Sequence, residues 1–99
     1  MTDLRNLTAD DCLAHLHSWF QIDTGDGQPV AAQLIEVQRR DAPGDGDRQG
    51  FALLFRGPAE APLPQRIYRL SAVGLGPLEL FLVPVGADAE GRLYEAVFS

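Results

Sequence analysis

The sequence predicts a mainly β fold: a six-stranded antiparallel barrel-like or sandwich meander with one short N-terminal helix. Six apolar segments recur along the chain, and turns rich in glycine, proline and aspartate separate them. No connection is long enough to hold the crossover helix that parallel strands need. The 99 residues suffice for one domain and not for two, so residues 1–17 are expected to carry the helix and residues 18–99 the β domain.

The first element is predicted as a short helix from Thr8 to Leu16. Thr8 can cap its N-terminus, and Asp11 three residues later completes a capping box. Apolar residues at helical spacing give it a narrow stripe: Leu7, Cys12, Leu13 and Leu16. A helix of about two turns has too little propensity of its own, so it must be held by packing.

Six predicted strands follow. They are segments of strand length that alternate or are wholly apolar: Ser18–Asp23, Val30–Arg39, Phe51–Arg56, Arg66–Ser71, Leu78–Val85 and Arg92–Phe98. Four of the connections are glycine-containing turns or loops: Thr24–Gly27, Asp41–Gly50, Gly74–Pro77 and Gly86–Gly91. The second of these is polar apart from one alanine, so it is expected to be solvated and mobile.

The remaining connection, between the third and fourth strands, is rich in proline. Pro58, Pro62 and Pro64 exclude both a helix and a central strand, which predicts an ordered loop. The same prolines remove three N–H donors, so the loop cannot be held together by its own backbone hydrogen bonds. Because an amide side chain both donates and accepts, Gln65 is predicted to anchor the loop by hydrogen bonds to the backbone.

Charge and cysteine content exclude several classes of protein. The formal net charge is −6 and the chain has no lysine, which argues against binding to nucleic acid or to an anionic membrane. The single cysteine excludes an intramolecular disulfide. The N-terminus lacks the apolar core of a signal peptide, and no apolar run approaches the length of about 20 residues that spans a bilayer. The expected location is the cytoplasm, with export by a signal-less route left open.

The C-terminal half carries a set of short motifs. Their residues are Phe55-Arg56-Gly57-Pro58, Leu63-Pro64-Gln65, Tyr68, Phe81-Leu82-Val83-Pro84-Val85-Gly86 and Tyr94-Glu95. In these residues the chain resembles a family of short bacterial β-rich proteins of unknown function with the pattern FxLxFRGP, LPQxxY, FLVPVG and GxxYEAVF. The resemblance supports the β fold and implies no activity.

No catalytic or metal-binding constellation stands out, and no cofactor is expected. Cys12, His15 and His17 come nearest to a zinc pattern, but the predicted helix ends between the two histidines and no second cluster completes the site. The aspartates of the loop that begins at Asp41 are too few for a calcium-binding loop of the EF-hand type. The Gly-x-Gly pairs lack the basic neighbour or following helix that phosphate binding requires.

Two acids lie within otherwise apolar strands. Glu79 and Glu95 are interpreted as partners of a structural ion pair rather than as acid–base catalysts. Arg56, at the end of the third strand, is predicted to be at least half buried and to pair with Glu95 first and Glu79 second. Losing one partner of a buried pair commonly costs about 3–5 kcal/mol.

Trp19 and Phe20 are adjacent, so their side chains point to opposite faces of a strand. If the helix covers Trp19, it is a core residue; otherwise it is an exposed aromatic on an edge strand, the kind of anchor that interfaces favour. The candidate interaction or structural residues are therefore Trp19, Arg56, Gly57, Pro58, Pro64, Gln65, Tyr68 and Glu95. They favour a non-enzymatic protein-interaction or assembly module that binds another protein or itself. The alternative is a β-barrel that binds a small apolar ligand.

Overall fold

The structure is a computed structural model that describes residues 7–25, 27–40 and 50–98, with the backbone alone at 39 and 40. Over these residues it contains one helix and six strands: α1 (Ala9–Leu13), β1 (Trp19–Asp23), β2 (Val30–Arg40), β3 (Gly50–Gly57), β4 (Arg66–Ala72), β5 (Leu75–Asp88) and β6 (Gly91–Phe98). The strands pair antiparallel and close into a barrel in the order β1-β2-β3-β6-β5-β4. The predicted mainly β, six-stranded antiparallel fold with one short helix is confirmed, in its barrel form.

The barrel consists of two three-stranded meanders, β1-β2-β3 and β4-β5-β6. They join where β3 pairs with β6 and where β1 pairs with β4. Consecutive strands β3 and β4 are therefore not neighbours. The proline-rich connection, residues 58–65, carries the chain from the end of β3 past the ends of β6 and β5 to the start of β4.

Both α1 and the chain that follows it lie at the opposite end of the barrel. The predicted capping box is present, because the Thr8 hydroxyl accepts from the N–H of Asp11 over 3.1 Å and the Asp11 carboxylate accepts from the N–H of Thr8 over 3.0 Å. The helix ends at Leu13, earlier than predicted. Further along, His15 contacts Phe20 edge to face, with ring centroids 6.5 Å apart.

Apolar side chains from all six strands fill the barrel interior. The buried strand residues of this core are Phe20, Ile22, Ala32, Leu34, Phe51, Leu53, Phe55, Tyr68, Leu70, Leu75, Leu78, Leu80, Leu82, Tyr94 and Ala96. Leu7 and Cys12 join the core from the α1 end, and Leu63 joins it from the proline-rich connection. A ligand inside the barrel would have to displace this packing.

The turns that flank β5 are shorter than the sequence predicted. β5 begins at Leu75 and runs to Asp88, so its two turns are reduced to Val73–Gly74 and Ala89–Glu90. Bulges in both ladders allow pairing to continue past the glycines and prolines of this segment. Sequence signals for turns mark these residues correctly as irregular but overestimate the length of chain that leaves the sheet.

Neither β1 nor β6 is an edge strand, so the edge position considered for the strand that carries Trp19 is wrong. Each pairs on both sides, and within the described part of the chain the barrel has no open edge. The loop predicted from Asp41 to Gly50, including its aspartates, lies outside the described residues, except for Gly50, which is the first residue of β3.

Candidate functional site

The proline loop, residues 58–65, crosses one end of the barrel, and a tyrosine from the barrel wall holds its middle. The backbone N–H of Leu63 donates to the phenol oxygen of Tyr94 over 2.9 Å. Because Pro62 and Pro64 have no N–H, this is the only backbone donor in the tripeptide. Leu63 and Tyr94 are both buried, so the bond forms away from water.

Two further side chains of the barrel fasten the loop near its start and its end. Tyr68 donates its hydroxyl to the carbonyl of Pro64 over 2.6 Å. The Nε–H of Arg92 donates to the carbonyl of Ala59 over 2.9 Å. Burial raises the pKa of Tyr68, which keeps this hydroxyl protonated as a donor. Together the three bonds fix the loop along its length.

Gln65 does not anchor the loop, so that prediction is wrong. Its side chain is exposed, and no described residue forms a hydrogen bond with it. The loop instead uses the hydroxyls of Tyr68 and Tyr94, which the barrel wall already holds in place. A signal for these anchors was present in the sequence, since a tyrosine within an apolar strand needs a partner for its hydroxyl once it is buried.

A pocket of about 340 Å³ lies between the proline loop and the adjoining ends of β5 and β6. Its lining residues are Pro62, Leu63, Pro64, Pro84, Gly86, Arg92 and Tyr94. This volume is at the lower end of the range for ligand pockets, roughly 300–1,000 Å³. The wall is mostly apolar, and its polar groups are the guanidinium of Arg92 and the hydroxyl of Tyr94.

An ion-pair cluster stands at the same end of the barrel, on its outer wall. The guanidinium of Arg56 lies 2.6 Å from a carboxylate oxygen of Asp88 and 3.0 Å from one of Glu90. The hydrogen bond from Arg56 lowers the pKa of Asp88. The side chain of Arg56 is 25% exposed, which agrees with the predicted burial. The predicted partners, Glu95 and Glu79, are wrong.

The position of the β5–β6 hairpin determines which carboxylates pair with Arg56. Gly91 packs so tightly against β3 that a Cβ atom on it would lie 2.1 Å from the carbonyl oxygen of Gly57. Asp88 accepts from two backbone N–H groups of the turn over 2.9 and 3.0 Å, which directs its second oxygen to the guanidinium. Glu95 instead lies further along β6, opposite Leu54.

Trp19 lies on the outer wall at the α1 end of the barrel. Trp19 is 61% exposed, whereas the adjacent Phe20 is 1% exposed. Phe20 packs edge-on against Phe55, with ring centroids 5.3 Å apart. The interpretation in which the helix covers Trp19 is therefore wrong. The side chain is exposed, as in the alternative, but β1 is not an edge strand. The residue sits in a paired strand, directly opposite Gln33 of β2.

A second exposed apolar area lies elsewhere on the wall, on β4 and β5. Ile67 and Phe81 face each other across the ladder and are 60% and 49% exposed. This area is separate from Trp19, because Ile67 lies near the start of β4 and β1 pairs with the later part of that strand. The outer wall thus presents more than one apolar contact surface.

A family model described as a domain of unknown function, DUF6916, matches residues 7–98. The chain belongs to this family. No curated protein and no solved structure matches it. The DUF6916 match takes in α1, all six strands and the proline loop, and the resemblance to a family of unknown function is confirmed at this level.

Within the DUF6916 domain, most of the predicted site residues meet at the proline-loop end of the barrel. Those at this end are Arg56, Gly57, Pro58, Pro64, Gln65 and Tyr68. A Cβ atom on Gly57 would make an ordinary van der Waals contact with the ring of Tyr94, 3.4 Å away, so the space at this position does not by itself require glycine. Glu95 lies farther along β6. Trp19 lies on β1, two strands from Arg56 and joined to it in register through Gln33 of β2. Sequence reasoning missed Asp88 and Arg92, which carry no local signal.

The described titratable residues of this DUF6916 domain are not arranged as a metal centre. No group of three or more His, Cys, Asp or Glu side chains is placed to hold an ion in the part of the chain that the structure describes. Burial, with a smaller contribution from Asp11, raises the pKa of the Cys12 thiol to about 11, so the thiol is protonated and unreactive at neutral pH. Among these residues there is also no helix with the length and hydrophobicity needed to cross a bilayer.

Proposed function

We propose that this DUF6916 domain is a non-enzymatic protein-interaction or assembly module that binds another protein, or a second copy of itself, through the outer wall around Trp19. The observation that supports this function is the 61% exposure of the tryptophan. Tryptophan is among the residues that most often dominate the binding energy of protein interfaces. Because the core is filled, this side chain stays on the surface, where its apolar area is in contact with water. A partner that covered it would remove that unfavourable contact.

The immediate surroundings of Trp19 suit a contact surface. Gln33 lies directly opposite it on β2, and the next outward-facing pair along the ladder is Gln21 with Ala31. These nearest neighbours are uncharged, and the cores of interfaces are depleted of charged residues. Gln33 in turn lies opposite Arg56 of β3, which is paired with Asp88 and Glu90, so the ion-pair cluster borders this surface on one side.

A non-enzymatic role is supported by what the described polar side chains already do. Arg56 and Asp88 neutralise each other, Tyr68 and Tyr94 hold the proline loop, and Cys12 is a buried thiol. Each has a structural partner or a packed environment that accounts for it. The net charge of −6 favours a protein partner over nucleic acid or an anionic membrane. A bacterial source and a cytoplasmic location complete the proposal.

The test compares Trp19→Ala with Phe81→Ala, a matched loss of an exposed aromatic elsewhere on the wall. Proteins crosslinked to each variant in the native cell are identified, and each direct partner is then purified and titrated. We expect the parent and Phe81→Ala to bind the same partner and Trp19→Ala to lose it, and we expect the emission of the single tryptophan to shift to the blue on binding. If Trp19→Ala binds every partner as tightly as the parent does, the proposed surface is wrong.

A second candidate function is binding of a small apolar ligand, and the pocket of about 340 Å³ beside the proline loop favours it. The site would be the mouth of the barrel, since core side chains fill the interior. Ring compounds screened by NMR are expected to shift the amide signals of Leu63 and Arg92. A screen in which no compound perturbs these signals would count against ligand binding.

A further inference from the structure

We propose that the pocket beside the proline loop receives the Trp19 side chain of a second copy of this chain, so that the domain self-associates. The inference rests on the proposed function, because it takes Trp19 as the binding anchor. It adds the identity of the receptor. Three features of the molecule support it: the chemistry of the pocket, the rigidity of its wall and the positions of the two surfaces.

The chemistry of the pocket matches an indole ring. The guanidinium of Arg92 lines it, and a guanidinium over an aromatic face is most favourable with tryptophan. Pro62, Pro64 and Pro84 supply flat apolar walls, and contacts between proline and aromatic rings underlie the recognition of proline-rich segments in aromatic grooves. A tryptophan buries roughly 150–250 Å² on entering such a site. Trp19 is the only tryptophan in the chain, and it is exposed.

The wall of the pocket is built before any occupant arrives. The hydrogen bond from Leu63 to Tyr94 and the one from Tyr68 to Pro64 hold the loop in place, and the prolines have fixed φ angles. Binding then orders few additional groups, which reduces its entropic cost. A receptor of this kind suits a single rigid aromatic side chain better than a long flexible segment.

The two surfaces share no residue. Trp19 is at the start of β1, which pairs with β2 and β4, whereas the pocket is lined by the proline loop and by β5 and β6. Trp19 does not line the pocket of its own molecule, so the contact joins two different surfaces of two copies. Such a contact closes reciprocally in a two-fold dimer or propagates from copy to copy.

Salt dependence separates this assembly from binding to a basic partner. Copies with a net charge of −6 repel each other, and salt screens that repulsion. Self-association through an apolar contact is therefore expected to strengthen as the salt concentration rises. Binding to a basic partner would weaken under the same change.

The test uses the full chain in four variants, followed by sedimentation velocity over a concentration series. Trp19→Ala removes the anchor, and Phe81→Ala is its matched control. Pro62→Glu places a carboxylate at an exposed position in the pocket wall, against the negative face of an incoming ring. Pro29→Glu makes the same change at an exposed proline outside the pocket lining. Urea unfolding establishes that each variant is folded.

We expect the parent and both controls to form dimers or larger species as concentration rises, and Trp19→Ala and Pro62→Glu to associate at least about thirty-fold more weakly. An equimolar mixture of the two weakened variants is the decisive sample. One retains the pocket and the other retains the tryptophan, so together they should form a 1:1 complex that grows no further. Its tryptophan emission should shift to the blue.

Three results would overturn the inference. A parent that remains monomeric up to about 1 mM has no such contact of useful strength. If Pro62→Glu assembles as the parent does while Trp19→Ala does not, the receptor lies elsewhere, although the proposed function of Trp19 stands. If the mixed variants form no 1:1 complex, the pocket is not the receptor. Failure of the proposed function is recognised separately, by unchanged binding of Trp19→Ala to every partner.

Discussion

Replacing Tyr94 with phenylalanine removes one oxygen atom and leaves the ring in the core. That oxygen accepts the only backbone N–H between Pro62 and Pro64, over 2.9 Å. In the variant, the N–H of Leu63 remains buried beneath the loop with its acceptor gone. The change therefore tests whether one hydrogen bond holds the proline loop on the barrel.

The size of the effect follows from the burial of both partners. A buried donor that loses its acceptor costs about 1–3 kcal/mol, because it was stripped of water on folding and has no replacement. Tyr94 is 1% exposed and Leu63 is 6% exposed, so water has little access to the freed N–H. For a domain of this length, the midpoint of thermal unfolding should fall by roughly 5–20 °C.

Tyr68→Phe is the matched comparison. It removes the donor to the carbonyl of Pro64, a residue that is exposed, so that water can replace the lost partner. Its cost is expected to be smaller, about 0.5–1 kcal/mol. Urea unfolding of the two variants measures the difference. Equal losses of stability, or a loss below about 0.5 kcal/mol for the Tyr94 variant, would refute the role assigned to this bond.

Three other outcomes are expected. Gly91→Ala should lower stability by about 1–3 kcal/mol, since its Cβ would lie 2.1 Å from the carbonyl oxygen of Gly57; an unchanged urea midpoint would contradict this. Arg56 lowers the pKa of Asp88, so the stability that this carboxylate contributes is present above its ordinary pKa of 3.8 and is lost as pH falls through the lower folded value. Asp88→Asn should therefore lose less stability than the parent on acidification, and parallel curves would contradict that. Burial raises the pKa of Cys12 to about 11, so its thiol should react with iodoacetamide only after unfolding; rapid labelling of the native protein at about pH 8 would show that the thiol is accessible.

Features that depend on neighbouring residues could be predicted from the sequence. The capping box of Thr8 and Asp11 is formed by two residues three positions apart. The strands follow from local alternation and from the glycines and prolines that interrupt it. The alternation also showed that one of Trp19 and Phe20 fills the core. It did not show which, because that depends on the ring of Phe55 across the barrel.

Features that depend on strand pairing were beyond the sequence. Arg56 meets Asp88 because β6 adds beside β3 and brings the β5–β6 turn with it, and no local pattern marks that pairing. Gln65 is a reasonable anchor when the loop is considered alone. The anchor used, Tyr94, lies 31 residues from Leu63 and reaches it only once the barrel has closed. The sequence therefore predicted residues of the candidate site but not the contacts between them.

The two ladders that join the halves of the barrel differ in length, and this affects how the fold opens. β3 and β6 pair from Phe51 to Gly57, whereas β1 and β4 pair only from Gln21 to Asp23. Separating the short ladder breaks fewer hydrogen bonds, so backbone amides of β1 should exchange with deuterium before those of β3. Each such opening uncovers the core beneath β1 and frees two strand edges, which are templates for pairing with another chain. Thermal aggregation is therefore expected to begin from this partly opened form, well before the molecule as a whole unfolds.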